Sequence, residues 1–267
     1  MNTGKLVRLN RIFAHPSGRL CSVAVDHFAG YDAGLPAGLR SMAKTIEALV
    51  AGGPDAITMH RGIAATFWQP WAGRVPLIMQ SSMLRLDDSA LSQAATPEDA
   101  VRVGADAFAV VGFMRGPTEG HHLRVIAESV REAARFEMPV ICHIYPRTYA
   151  GGKVDVSFAP EDIAWAAHCA IECGVDVVKV PYCGDVKAYA QIVADCPVRL
   201  VAAGGPKAKD LRGALALMAE VRTAGAAGAT IGRNIWGFDR ISDSVRAFKA
   251  VLHDGLSADD ALRSAGL

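Results

Sequence analysis

Strand-like apolar runs and helix-like segments alternate eight times along the 267 residues, and the way each strand is entered repeats. The second, fourth, sixth and eighth runs follow a helix-closing glycine: Gly53-Pro54-Asp55, Gly104-Ala105-Asp106, Gly174-Val175-Asp176 and Gly225-Ala226-Ala227-Gly228. The third, fifth and seventh begin just after Pro76, Pro139 and Pro197. Start-to-start spacings are about 35, 21 and 31 residues in the first half and about 36, 22 and 32 in the second. Two matching halves of four βα units predict a closed eight-stranded α/β barrel, the (β/α)8 TIM barrel, as a single domain over 1–267. No G-x-G-x-x-G follows the first strand, which argues against an open dinucleotide-binding sheet.

The strands are predicted at 20–25, 56–59, 77–80, 107–111, 140–144, 174–182, 198–202 and 229–231. Residues 1–19 are a lead-in whose Leu9-Asn10-Arg11-Ile12-Phe13 covers the barrel bottom, and 255–267 form a helical tail opened by Ser257. Thr96-Pro97-Glu98-Asp99 supplies an N-cap, a first-turn proline and early acids for a helix that stops at Gly104. Other helices run from Pro160 to Gly174 and from Leu211 to Thr223.

Apolar residues make up 51% of the chain and charged ones 21%, with net charge +1, a globular balance that argues against nucleic acid or an anionic membrane as partner. The start of the chain has no signal-peptide core and no apolar run reaches membrane-spanning length. Six cysteines without a C-x-x-C pair predict free thiols in a reducing cytoplasm.

Within the sixth strand, Val177-Val178-Lys179-Val180 places one lysine in a run bounded by Gly174 and Pro181. A strand buried on both faces desolvates the ammonium and lowers its pKa, and a neutral lysine is a nucleophile towards carbonyls. The plain alternative is a lysine one step past the apolar layer, snorkelling to solvent. Barrel enzymes carry catalytic groups at the C-terminal ends of strands and hold phosphate at the loops after strands seven and eight. Gly204-Gly205 follows the seventh strand and Gly232-Arg233 the eighth. Backbone N–H groups there can close on an anion with Arg233 as a charged fork, although glycines also serve plain tight turns. Asp26 and Tyr145 end the first and fifth strands and converge with Lys179 on the same mouth. Together they supply an amine, a hydroxyl and a carboxylate beside an anion site.

Several segments carry a family resemblance: Val25-Asp26-His27, His60-Arg61-Gly62-Ile63-Ala64, Tyr145-Pro146-Arg147, Val178-Lys179-Val180-Pro181-Tyr182, Gly204-Gly205-Pro206-Lys207 and Ile231-Gly232-Arg233-Asn234. In consistent order from residue 8 to about 254, they resemble the archaeal-type class I fructose-bisphosphate aldolases and the wider Schiff-base superfamily that includes deoxyribose-phosphate aldolase. Arg8-Leu9-Asn10-Arg11-Ile12-Phe13 and Ala202-Ala203-Gly204-Gly205 also resemble a sister branch, a thiolase acting on a phosphorylated quorum-signal diketone. The resemblance implies Lys179 as the Schiff-base lysine, Tyr145 as general acid and base, and Asp26 as the polar partner of the substrate. It implies Gly204, Gly205, Gly232 and Arg233 as the phosphate site, a phosphorylated sugar as ligand, no cofactor and a homo-oligomer. Three positions depart from the pattern: Phe28 and His143 replace a common glycine and tryptophan, and Ala203 replaces a serine.

The expected function is therefore a class I aldolase acting on a phosphorylated ketose. A lysine-dependent thiolase and a non-catalytic sugar-phosphate binder are the alternatives. No H-E-x-x-H is present and no metal site is expected; the His121-His122 pair is placed in a polar loop. His27, His60 and His143 follow or end strands, where a hydrogen-bonded structural histidine is the commoner outcome, and none is assigned a catalytic part. Trp68 and Trp71 are read as core or subunit-interface aromatics.

Overall fold

In the computed structural model, which describes residues 2–28 and 34–267, the eight expected strands pair in sequence order and close on themselves. They are β1 (Leu20–Ala24), β2 (Ala56–His60), β3 (Leu77–Gln80), β4 (Ala107–Met114), β5 (Val140–Ala150), β6 (Val177–Val180), β7 (Arg199–Ala203) and β8 (Gly228–Ile231). Every barrel pairing is parallel, from β1 on β2 round to β8 on β1, and β4 on β5 completes the ring. The architecture is a (β/α)8 barrel, as the repeat predicts.

Closure divides each strand's side chains into two sets. Cys21, Ile57, Met79, Val110, Val178 and Leu200 belong to a core between the sheet and its surrounding helices. Their alternate neighbours Leu20, Ala56, Ile78, Ala107, Ile141, Val177 and Val201 fill the barrel interior. Helix Thr3–Ile12 crosses beneath and inserts Leu9 and Ile12, followed by Phe13, into that interior cluster. The lead-in thus closes the bottom of the barrel, while Met1 lies outside the described residues.

Helix boundaries follow local chemistry. Thr96 accepts from the Asp99 N–H while Asp99 caps back on Thr96, a reciprocal box that opens Pro97–Arg102. Helix Leu211–Thr223 has the expected bounds, and Ser257 caps the final helix Ala258–Ser264. Trp68 is buried in the outer core, and Trp71 packs against it half-buried.

Three features differ from the sequence expectation. β4 and β5 run past their predicted ends, and β5 folds back on Lys153–Val156 as an antiparallel hairpin. A second small hairpin, Ser82–Leu84 with Leu91–Gln93, follows β3. The His121-His122 pair lies on helix Glu119–Ala134 and not in a loop. His122 falls in line with Ile126, Ser129 and Ala133 on the buried stripe, and its ring packs edge-on against Phe113. A polar-looking dipeptide conceals that helical periodicity.

Ile12 is fully buried in the floor cluster, so Ile12→Ala is expected to cost about 2–5 kcal/mol of stability. Equilibrium urea unfolding checks this, and a midpoint equal to wild type would show that the helix merely rests on the barrel.

Candidate active site

The interior of the barrel changes character one layer above its floor. Two residues beyond the floor positions Leu20, Ala56, Ile78, Ile141 and Val177 stand Ser22, Thr58, Gln80, His143 and Lys179. Thr230 stands likewise two beyond Gly228, and only Ala109 and Ala203 stay apolar in this layer; all are buried. Above this layer the strand ends open into a cavity of about 540 Å3. The cavity is lined by all seven residues singled out from the sequence: Asp26, Tyr145, Lys179, Gly204, Gly205, Gly232 and Arg233.

Lys179 is only 6% exposed. Burial disfavours its ammonium form and lowers its pKa to about 8, against a smaller upward pull from the Asp26 carboxylate. Asp26, past the end of β1, is also almost enclosed. Burial alone would raise its pKa, but the His27 hydrogen bond and the positive fields of His27, Lys179 and His60 outweigh that and hold it well below the carboxylate range. His27 Nδ1 lies 3.2 Å from one Asp26 oxygen, and Gln80 Nε2 donates to the other at 3.1 Å. Tyr145 stands two residues beyond His143 on β5, half-buried at the cavity wall.

The glycine turns have distinct jobs. Gly204 donates its own N–H to the Thr230 carbonyl at 3.0 Å, and a Cβ there would sit 2.9 Å from the Ile231 Cα. It provides clearance between β7 and β8. Gly205 takes φ +72°, which favours a residue without Cβ. A Cβ on Gly232 would run into the His27 imidazole at 2.5 Å. Asn234 locks the two turns together: its amide nitrogen donates to Gly204 O and Pro206 O, and its oxygen accepts from Ala208 N–H.

A buried nucleophilic amine beside a carboxylate, a tyrosine and an arginine-bearing pair of turns forms a setting for imine chemistry on an anionic carbonyl compound. Residues 20–237, from the first residue of β1 to just past the short helix after β8, match the model of the DeoC/LacD family of aldolases. The chain belongs to that family. This aldolase is 31% identical to 2-amino-4,5-dihydroxy-6-oxo-7-(phosphonooxy)heptanoate synthase of Streptomyces griseus, over 86% of this chain and 83% of that protein. It is 32% identical to 2-amino-3,7-dideoxy-D-threo-hept-6-ulosonate synthase of Halobacterium salinarum, over 100% of this chain and 98% of the relative. Among solved structures, an archaeal fructose-1,6-bisphosphate aldolase with its catalytic lysine covalently bound to the carbinolamine intermediate superposes with a TM-score of 0.81. Identity there is 28%, covering 93% of this chain and 99% of that one. The protein is a class I aldolase, a carbon–carbon lyase of the Schiff-base kind. Among the described residues no helix is long and apolar enough to cross a membrane.

The aldolase's site contains groups that reading strand by strand passes over. Gln80, His60 and His143 all line the cavity. The signal for Gln80 and His143 is parity: each stands two residues after an inward apolar residue, Ile78 or Ile141, as Lys179 does after Val177. The outer wall comes from both unexpected hairpins. Arg85, Leu86 and Asp87 from one, and Val154, Asp155 and Val156 from the other, face the cavity. Arg147 joins them, with its guanidinium almost wholly buried. It donates to Asp88 Oδ2 at 2.8 Å, Leu86 O at 3.2 Å, Thr118 Oγ1 at 2.9 Å and Arg115 O at 3.0 Å.

Because burial, opposed only by Asp26, sets the lysine's proton affinity, Lys179 is expected to react with an amine-selective reagent through a pH midpoint of about 8. Peptide mass analysis of protein labelled across a pH series measures it. A midpoint in the ordinary lysine range would mean the amine is solvated.

Proposed function

We propose that this aldolase makes and breaks the carbon–carbon bond between the α and β carbons of the ketone in a phosphorylated ketose, with Lys179 as the Schiff-base residue. The observation that carries the reading is that one cavity holds a lysine with its pKa lowered to about 8 together with Asp26, Tyr145 and Arg233. The chemistry named for two of the relatives supports a substrate class, while the 7-deoxy product named for the Halobacterium relative has a methyl group beside its ketone. Fructose 1,6-bisphosphate and the Streptomyces product each contain a ketone flanked on one side by a phosphonooxymethyl group and on the other by two hydroxyl-bearing carbons. A three-carbon phosphorylated hydroxyketone is therefore the nucleophilic half of the reaction.

In the cleavage direction, neutral Lys179 Nζ attacks the ketone carbon, and the C=O electron pair moves to oxygen, which takes a proton. Loss of water from this carbinolamine leaves a protonated imine. The imine then accepts the electrons of the bond between its α and β carbons as a base removes the proton of the β-hydroxyl, which releases an aldehyde and leaves an enamine on Lys179. Tyr145 shuttles protons in dehydration and in reprotonation of the enamine, and Asp26 orients the substrate hydroxyls. Arg233, with the backbone of Gly205 and Gly232, holds the phosphate, while Gly204 keeps the space clear. Phosphate binding supplies energy remote from the bond that breaks. A cytoplasmic setting belongs to the same reading, supported by six cysteines that all stand as free thiols.

Borohydride reduction in the presence of fructose 1,6-bisphosphate or dihydroxyacetone phosphate is expected to fix the ligand on the Lys179 peptide, and Lys179→Met to abolish both adduct and turnover. A panel of phosphorylated ketoses that leaves Lys179 unmodified would defeat the proposal. Arg233→Ala is expected to raise KM for phosphorylated substrates by about ten- to a hundredfold, the worth of a charge-assisted contact, and to leave unphosphorylated analogues unaffected. Equal loss on both substrate types would move the phosphate elsewhere.

A further inference from the structure

His143 has no part in the chemistry above, yet it stands beside the lysine in the cavity. It is 3% exposed, and the parallel register of β5 on β6 sets it directly beside Lys179 on the inward face. Adjacent strands run about 4.8 Å apart, so the two side chains share one layer. Its Nδ1 lies 3.2 Å from Gln80 Nε2.

The orientation of the Gln80 amide decides which ring nitrogen carries the proton. At one end Oε1 accepts the Ser82 N–H at 3.0 Å, and at the other Nε2 faces Asp26 Oδ2 at 3.1 Å. Asp26 is ionised and can only accept. Turning the amide over would set two oxygens against each other and leave the Ser82 N–H facing a donor. The NH2 group is therefore at the inner end, with one hydrogen for Asp26 and the other for His143. A donated hydrogen needs a lone pair, so Nδ1 is bare and the ring proton is on Nε2. Burial, reinforced by the Lys179 charge and opposed by Asp26, holds the ring neutral.

We propose that His143 is a further catalytic residue of this aldolase, a neutral Nε2–H donor to the substrate oxygen that leaves the ketone as Lys179 attacks, with Gln80 as the positioning residue that fixes its tautomer. The proposal rests on the Schiff-base reading of Lys179. During attack the carbon–nitrogen bond forms, the C=O π pair moves to oxygen, and negative charge grows there. A preorganised N–H in a dry site stabilises that charge without transferring its proton, as neutral imidazole donors do elsewhere. His143 keeps its hydrogen throughout, and the proton that completes the carbinolamine hydroxyl comes from the lysine nitrogen through Tyr145. The charged and titratable groups facing the ring are Lys179 from β6, Asp26 and His27 beyond β1, and His60 from β2.

Two measurements test this. The first is a long-range 1H–15N spectrum of histidine-labelled enzyme, with His143 assigned by its loss in His143→Gln. A bare Nδ1 and a protonated Nε2, unchanged between about pH 6 and pH 9, are expected for a ring held neutral by burial; the opposite tautomer, or an imidazolium near neutral pH, overturns the proposal. The second is kinetic. His143→Leu is expected to slow kcat and the formation of the borohydride-trapped adduct by about 10²–10³-fold with KM little changed, the cost of removing one such donor. His143→Gln, which restores an N–H at a similar reach, should recover to within about tenfold, the worth of one neutral hydrogen bond. Gln80→Met keeps the side-chain volume while freeing the tautomer. It should lower kcat and let the ring populate the Nδ1–H tautomer in the same 1H–15N spectrum, a readout that loss of the Asp26 contact would not give and that keeps the test decisive where His143→Leu folds poorly. Wild-type rates in both His143→Leu and Gln80→Met, or a histidine limb in the pH profile that both His143 variants abolish, would overturn it. Failure of wild type to trap any ketose defeats the Schiff-base reading itself, whereas normal trapping in wild type and in His143→Leu at equal rates defeats only this inference.

Discussion

Once β4 pairs with β5 and the parallel sheet has no edge, every second side chain must point into a space that only other side chains can fill. The floor meets that demand with aliphatic groups and the helix that plugs them from below. One layer up, the same geometric rule is met with polar groups, and there the cost of desolvation becomes chemistry. Ser22 satisfies itself by donating to Thr230 at 2.7 Å. Gln80 serves two partners with its amide hydrogens. Lys179 meets the demand by giving up some of its affinity for a proton.

The opposition between burial and Asp26 sets the working state of the amine. Burial alone would lower the lysine's proton affinity further, and the carboxylate alone would keep it charged. Their balance leaves a group that holds and releases a proton at moderate pH, the condition under which an amine can both attack a carbonyl and take part in proton exchange. Asp26 can exert this pull because its own ionised form is secured by His27 on one oxygen and Gln80 on the other.

Much of this was legible in the chain. Glycine stops, proline starts and Val-rich runs are local signals, so the eight strands and their order could be read directly. Lys179 stood out because a lone cation interrupts a run of valines. Gln80 did not, because a polar residue at a strand end is unremarkable until closure decides which way it faces. His143 was noticed and set aside for the same reason, since its meaning depends on its pairing with Lys179, a contact between residues 36 positions apart. The hairpin on β5 was hidden because Thr148, Tyr149 and Lys153 lack the apolar alternation of a buried ribbon, and one edge of that ribbon faces solvent. Asn234 was visible as a letter in a motif, but its work of tying Gly204 to Ala208 exists only in three dimensions.

The clasp formed by Arg147 has a bearing on how such an enzyme can diversify. Its guanidinium binds the turn after β3 to the ends of β4 and β5, so the two hairpins that wall the outer cavity are coupled parts. Lengthening or recutting either turn alone would strip buried donors of their acceptors, a penalty felt by the whole wall. Drift toward a new acceptor molecule is thereby channelled: hairpin side chains outside the Arg147–Asp88 clasp can vary, while the two backbones are tied to each other. A barrel of this design keeps its carbonyl chemistry constant and retunes the far half of its reaction by repainting a rigid wall.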